Sequence, residues 1–123
     1  MLLIAKILTA VVALEHLYIL WLEMFAWETA GRRVFRGALA KDLFTPTKVL
    51  AANQGLYNGF LAAGLIWTFF ITDATWSARV ALFFLGCVAV AGIYGAWTVD
   101  KKIFFIQGAP ALLAILCWLL AIQ

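Results

Sequence analysis

The chain has 123 residues, of which 67% are hydrophobic and 12% charged, and its mean hydropathy is +1.04. Soluble domains are nearer half apolar and a quarter charged, so this composition excludes a water-soluble domain and points to a membrane protein. The net charge of +3 does not indicate nucleic acid, because most basic residues sit at the ends of hydrophobic segments, where they orient a membrane protein.

About 20 mainly apolar residues cross a hydrocarbon core. Four such segments and their loops fill the chain as one domain, 1–123, and predict an all-α four-helix transmembrane bundle. The first predicted span covers about residues 2–27. Its start, MLLIAKILTAVVALEH, lacks a basic leading region and a small-residue cleavage site, so it is expected to remain as a span rather than act as a signal. Within it, ALEHLYILWLEMFAWET carries Glu15, His16 and Glu23. Ionisable groups are costly in lipid and usually face a protein interior. At about 100° per residue, His16 and Glu23 differ by about 20° and Glu15 lies about 80° from Glu23, so all three share one broad sector.

The loop that follows, GRRVFRGALAKDLFTPTK, sets Arg32, Arg33, Arg36, Lys41 and Lys48 against Asp42. Its mixture of apolar and basic residues suits a short interfacial helix, with arginines anchored near phospholipid headgroups. Binding of an anionic substrate is the sharper reading of the same charges. The second span, about 48–71, contains Asn53, Gln54, Tyr57 and Asn58, and Gly55 and Gly59 at a G-x-x-x-G spacing that serves close helix packing within a chain or between chains. The third, about 78–98, has Gly86, Gly92, Gly95 and Tyr94; the fourth, about 102–122, has Gln107, Gly108 and Pro110. The basic first loop and the short VDKK loop, with Lys101 and Lys102, both belong on the cytoplasmic side by the positive-inside rule, which puts both termini outside.

On this topology Glu23, Asn53, Asn58, Tyr94 and Gln107 fall in the cytoplasmic half of the membrane, with Glu15 and His16 near its centre. Two readings fit: a structural hydrogen-bond network, since polar groups in lipid must find partners, or a polar pocket for a small molecule or a proton. The expected site comprises Glu15, His16, Glu23, Asn53, Tyr57, Asn58, Tyr94 and Gln107. His16 is the chain's single histidine and diverges from Glu15, so no metal site is expected. Asp73 and Ser77 lie in the outer loop away from His16, which argues against a Ser-His-Asp hydrolase. Cys87 and Cys117 form no C-x-x-C pair and read as small buried hydrophobes. The residues name no cofactor and no catalytic group.

Three segments, LEHLYILWLEMFAWET, NQGLYNGFLAAGL and GIYGAWTVDKKIFFIQGAPALLA, resemble the bacterial membrane proteins known as domain of unknown function 1304, over nearly the whole chain. The resemblance implies a small four-span protein of the bacterial cytoplasmic (inner) membrane and carries no activity, ligand or catalytic residue. A fainter similarity is to membrane-associated eicosanoid and glutathione metabolism proteins, in the four spans, the basic loop after the first helix, and Lys48, Asn53 and Gln54. The glutamate of that pattern is missing here. That similarity implies a trimer holding glutathione between subunits. The expected function is a membrane protein whose cytoplasm-facing polar pocket binds a small or amphipathic molecule. The alternatives are a glutathione-using enzyme or a proton-coupled transporter, which four short spans could support only as an oligomer. The expected partners are the lipid bilayer, a small molecule and further copies of the chain.

Overall fold

The computed structural model describes residues 1–122, and among these every regular element is helical. Helix α1 spans Leu2–Met24, a run free of glycine and proline. It ends at Met24, three residues short of the expected end, and a separate π-helical turn, Trp27–Gly31, follows. Gly31 closes that turn by donating to the Ala26 carbonyl at 2.7 Å. The basic loop holds only a three-residue helix, α2, Arg32–Val34, and a 3₁₀ turn, Lys41–Leu43.

Helix α3 covers Lys48–Trp67 and runs into a 3₁₀ turn at Thr68–Phe70. Helix α4, Ala74–Thr98, begins four residues before the expected start, because Asp73 caps it by accepting from the Trp76 backbone N–H at 2.8 Å. The turn between α3 and α4 is tied back by Ser77, whose hydroxyl donates to the Thr68 carbonyl at 2.9 Å. The last expected span is interrupted: a π-helical turn, Phe104–Gly108, precedes α5, Ala109–Ala121. Pro110 supplies a physical reason, since it cannot donate to a carbonyl four residues back and its ring crowds that position, so the preceding turn widens.

Three segments are long and apolar enough to cross a membrane: Leu2–Met24, Ala74–Thr98 and Phe104–Ala121. At 20 residues α3 is also about 30 Å long, but Asn53, Gln54 and Asn58 dilute its hydropathy. Helix α1 packs on α3 and α5, and α4 packs on the same two. Leu65 of α3, Ala5, Val12 and Ala13 of α1, Leu85 and Val88 of α4, and Ala111, Ala114 and Trp118 of α5 form the core. Many residues on the outside of these helices are apolar; Leu3, Val49, Phe105 and Trp97 are all largely exposed. Such a surface suits hydrocarbon.

The glycines explain how the helices come so close. A Cβ on Gly55 would sit 2.9 Å from the Glu23 Cβ and 2.7 Å from the Met24 Cγ, and one on Gly59 would strike the Leu20 side chain. The G-x-x-x-G face of α3 is therefore occupied by α1 of the same chain. A Cβ on Gly92 would lie 2.6 Å from the Gly108 backbone nitrogen, so α4 and the π turn before α5 meet backbone to backbone. One polar tie lies deep in the core. The Trp118 indole N–H donates to the Thr9 hydroxyl at 2.9 Å, and that hydroxyl donates in turn to the Ala5 carbonyl at 2.8 Å.

Candidate functional site

The close α1–α3 contact brings Glu23 to Asn58. The Asn58 amide donates to Glu23 Oε2 at 2.7 Å and also reaches the Gln54 backbone carbonyl at 3.3 Å. Asn58 is buried and Glu23 half-buried. A carboxylate with one oxygen held by a buried amide keeps acceptor capacity on the other. Gln54 stands one turn from Asn58, about 40° away around α3, and Tyr57 about 100° away. A polar row thus runs from the α1 contact around α3 to its exposed side, where Gln54, Asn53 and Tyr57 lie.

That exposed side has a geometric cause. Helices α3 and α4 touch where the ring of Phe84 lies over Gly64. Tyr57 precedes Gly64 by seven residues and Ala91 follows Phe84 by seven, so each lies within about 20° of the same contact face. Yet Tyr57 is 57% exposed and Ala91 is exposed. The two faces that meet at Gly64 and Phe84 are uncovered two turns further on. Tyr94, 62% exposed, stands beside Ala91 on α4.

His16 and Glu15 occupy α1 about 12 Å away along the helix axis from Glu23. His16 is wholly buried, and its Nδ1 lies 2.8 Å from the Val12 carbonyl. Nδ1 therefore carries a proton as donor to that carbonyl. The other ring nitrogen, Nε2, is enclosed and makes no hydrogen bond among the described residues, and the same holds for Glu15 Oε1. Gln107 is half-buried within the π turn before α5. Of the eight residues expected from the sequence, Glu23 and Asn58 are joined directly. Asn53, Tyr57 and Tyr94 line exposed faces.

A second polar group closes the loop side, and sequence reasoning missed its centre, Glu28. Lys48 Nζ lies 2.9 Å from Glu28 Oε2. The Thr45 hydroxyl donates to Glu28 Oε1 at 2.9 Å and accepts from Arg32 Nη2 at 3.5 Å. The Lys48 ammonium, followed by the Thr45 hydroxyl, holds the Glu28 carboxyl below its ordinary range. Phe44, wholly buried, packs on Trp27 with ring centroids 4.9 Å apart. The Trp27 indole N–H donates to the Thr47 hydroxyl at 3.1 Å. Lys48, read from sequence as part of a headgroup-anchoring loop, is thus engaged by Glu28. The available signal was an acid just past the first helix and a base opening the next, both bordering one loop.

The Thr9–Trp118 pair was missed as well. A threonine and a tryptophan 109 positions apart carry no local pattern that joins them.

A curated relative from Lactococcus lactis subsp. lactis (strain IL1403), named uncharacterized protein YpaA, is 36% identical over 111 residues, which is 89% of this chain and 92% of the relative. No solved structure matches the chain. Residues 10–119 match the family described as "Protein of unknown function (DUF1304)". With helices apolar enough for a membrane, the three quoted segments in place and a bacterial relative aligned over most of its length, the chain belongs to that family.

Proposed function

We propose that the protein is a four-span integral protein of a bacterial cytoplasmic membrane, with both termini outside, that binds a small or amphipathic molecule at a polar site opening toward the cytoplasmic leaflet. The site is built on Glu23 and Asn58, extends through Gln54 to Asn53 and Tyr57, and has Tyr94 on the facing helix. Glu15 and His16 lie deeper on α1, and Gln107 belongs to the same membrane half.

The observation that carries this reading is the 2.7 Å bond from Asn58 to Glu23, with Gln54 and Tyr57 exposed on the adjoining faces of α3. A carboxylate is not kept at this depth for packing alone when an apolar side chain would fill the space without a desolvation cost. The basic loops support the orientation, and α3 supports a fourth span by length, its amides being placed along one side rather than distributed around the helix.

Native mass spectrometry of the detergent-purified protein tests the site. Wild-type protein is expected to retain a bound small molecule or lipid, and Asn58→Ala and Glu23→Gln are expected to lose it while keeping their helical circular-dichroism signal. Folded variants that retain the same adduct at wild-type occupancy would overturn the site, and a wild type free of any adduct would count against it equally.

A further inference from the structure

At the end of the bundle opposite the basic loops, where α3 stops and α4 starts, two shallow clefts adjoin. One, of about 370 Å³, is lined by Trp67, Thr72, Asp73 and Trp76 among others. The other, of about 400 Å³, is lined by Trp67, Trp76, Arg79, Val80, Phe83 and Phe84. Trp67, Trp76 and Val80 border both, so the two form one groove open along the side of the bundle. Trp76 fixes the two charged groups in it. Asp73 Oδ1 accepts from the Trp76 backbone N–H at 2.8 Å, and the Arg79 guanidinium carbon lies 5.2 Å from the Trp76 ring centroid. The Arg79 side chain therefore runs back toward the start of α4, as helical side chains do, and its charge stands within about a turn of Asp73. Neither group forms an ion pair among the described residues.

We propose that this groove holds a phosphatidylethanolamine molecule, with its ammonium at Asp73, its phosphate at Arg79 and an acyl chain along Phe83 and Phe84. The site is separate from that of Glu23 and Asn58, and neither depends on the other. Asp73 keeps a second carboxylate oxygen for an ammonium, and a guanidinium fork matches phosphate oxygens. From Asp73 to Phe84 is about 16 Å along α4, and the chemistry changes in one direction: carboxylate, guanidinium, then aromatic rings. An ethanolamine phospholipid presents the complementary order from water inward: ammonium, phosphate, hydrocarbon. Trp67 and Trp76, each 57% exposed, flank the boundary, as tryptophans do at headgroup level. Phosphatidylglycerol would satisfy Arg79 but bring no cation to Asp73, and a choline headgroup has no N–H to donate to that carboxylate. Lys6 and the Met1 amine stand at the same end of the bundle but belong to α1, whose partners are α3 and α5.

The test uses the intact protein, stripped of lipid in a non-ionic detergent. Thermal unfolding is followed as dioleoyl phosphatidylethanolamine, phosphatidylglycerol or phosphatidylcholine is added in mixed micelles. Phosphatidylethanolamine is expected to raise the midpoint in a saturable way and more than the other two. Arg79→Gln should lower its apparent affinity by about tenfold or more. Asp73→Asn keeps the helix cap, since asparagine caps as well as aspartate, yet removes the charge facing the ammonium. It should abolish the preference for phosphatidylethanolamine over phosphatidylglycerol without lowering the lipid-free midpoint. Lys6→Gln, which removes a charge at the same end but outside the groove, should leave the response unchanged. Equal stabilisation of wild type by phosphatidylglycerol or phosphatidylcholine would overturn the proposal, as would no shift with any lipid. An undiminished response in Arg79→Gln, an unaltered preference in Asp73→Asn, or a loss in Lys6→Gln as large as that in Arg79→Gln would do the same.

Discussion

Thr9 and Trp118 show how one hydroxyl can serve two helices. It satisfies the Ala5 carbonyl on its own helix and accepts the only hydrogen that the Trp118 indole can donate. Thr9→Val keeps the shape, removes the acceptor and leaves that N–H enclosed in the core. The expected cost is about 1–3 kcal/mol, read as a lower unfolding midpoint in detergent, and Trp118→Phe on the Thr9→Val background should recover part of it. Glu28 makes a smaller, pH-dependent contribution. Its folded pKa is depressed, chiefly by the Lys48 ammonium, so its stabilisation is present above the ordinary carboxylate value and is lost as pH falls through the depressed one. The pair is exposed and the effect therefore small. Thermal unfolding scanned across the acid range should show a shallower loss of stability in Glu28→Gln than in wild type. Parallel curves would mean that the loop pair contributes nothing. At this scale the sequence marked Glu23 and Asn58 as polar groups needing partners, which the helix period could place on compatible faces. It could not mark Thr9 or Trp118, because their partnership depends on how distant chain segments cross, whereas Glu28 and Lys48 border one loop and could have been paired from sequence.

Among the helices, glycine positions separate close approach from open surface. A side chain at Gly92 would meet the Gly108 backbone, whereas nothing lies within 4 Å of the corresponding position at Gly86. Gly92→Ala is expected to cost about 1–3 kcal/mol through forced separation of two backbones. Gly86→Ala is expected to be neutral or to gain up to about 1 kcal/mol from helix propensity. Unfolding midpoints of the two variants, measured side by side, check the assignment; similar effects would refute it. Helix existence was legible because apolar runs of this length have few alternatives. The breaks were less so: Pro110 gave notice of an irregular turn, while the π turn at Trp27–Gly31 has no proline and begins where the first span was expected to end. The G-x-x-x-G spacing signalled a tight contact but not its partner, which the structure identifies as α1.

At the level of the molecule, the proposed orientation makes a labelling prediction. Single cysteines replacing Lys41 and Lys101, in a background lacking Cys87 and Cys117, should react with a membrane-impermeant maleimide only from the cytoplasmic side. A cysteine replacing Thr72, in the turn between α3 and α4, should react only from outside. Equal reactivity from one side would remove either the orientation or the fourth span. The all-helical architecture followed from composition, whereas the seam between α3 and α4 did not. Angular arithmetic places Tyr57 and Ala91 on the faces of their helices that meet at Gly64 and Phe84, but it contains no information about how two helices cross, and both residues are exposed.

The bond between Thr9 and Trp118 also bears on the order of assembly. Helix α1 emerges from the ribosome first and can settle against α3 through Gly55 and Gly59 as soon as α3 has followed it into the membrane. The Thr9 hydroxyl must then wait for α5, which follows α3 and α4 in the chain, before it receives the indole proton. Until α5 is made, the Thr9 hydroxyl lacks its indole donor, because Trp118 lies 109 residues further along the chain. A pulse-labelled chain halted before Trp118 would contain the α1–α3 contact and lack the tie that joins α1 to α5.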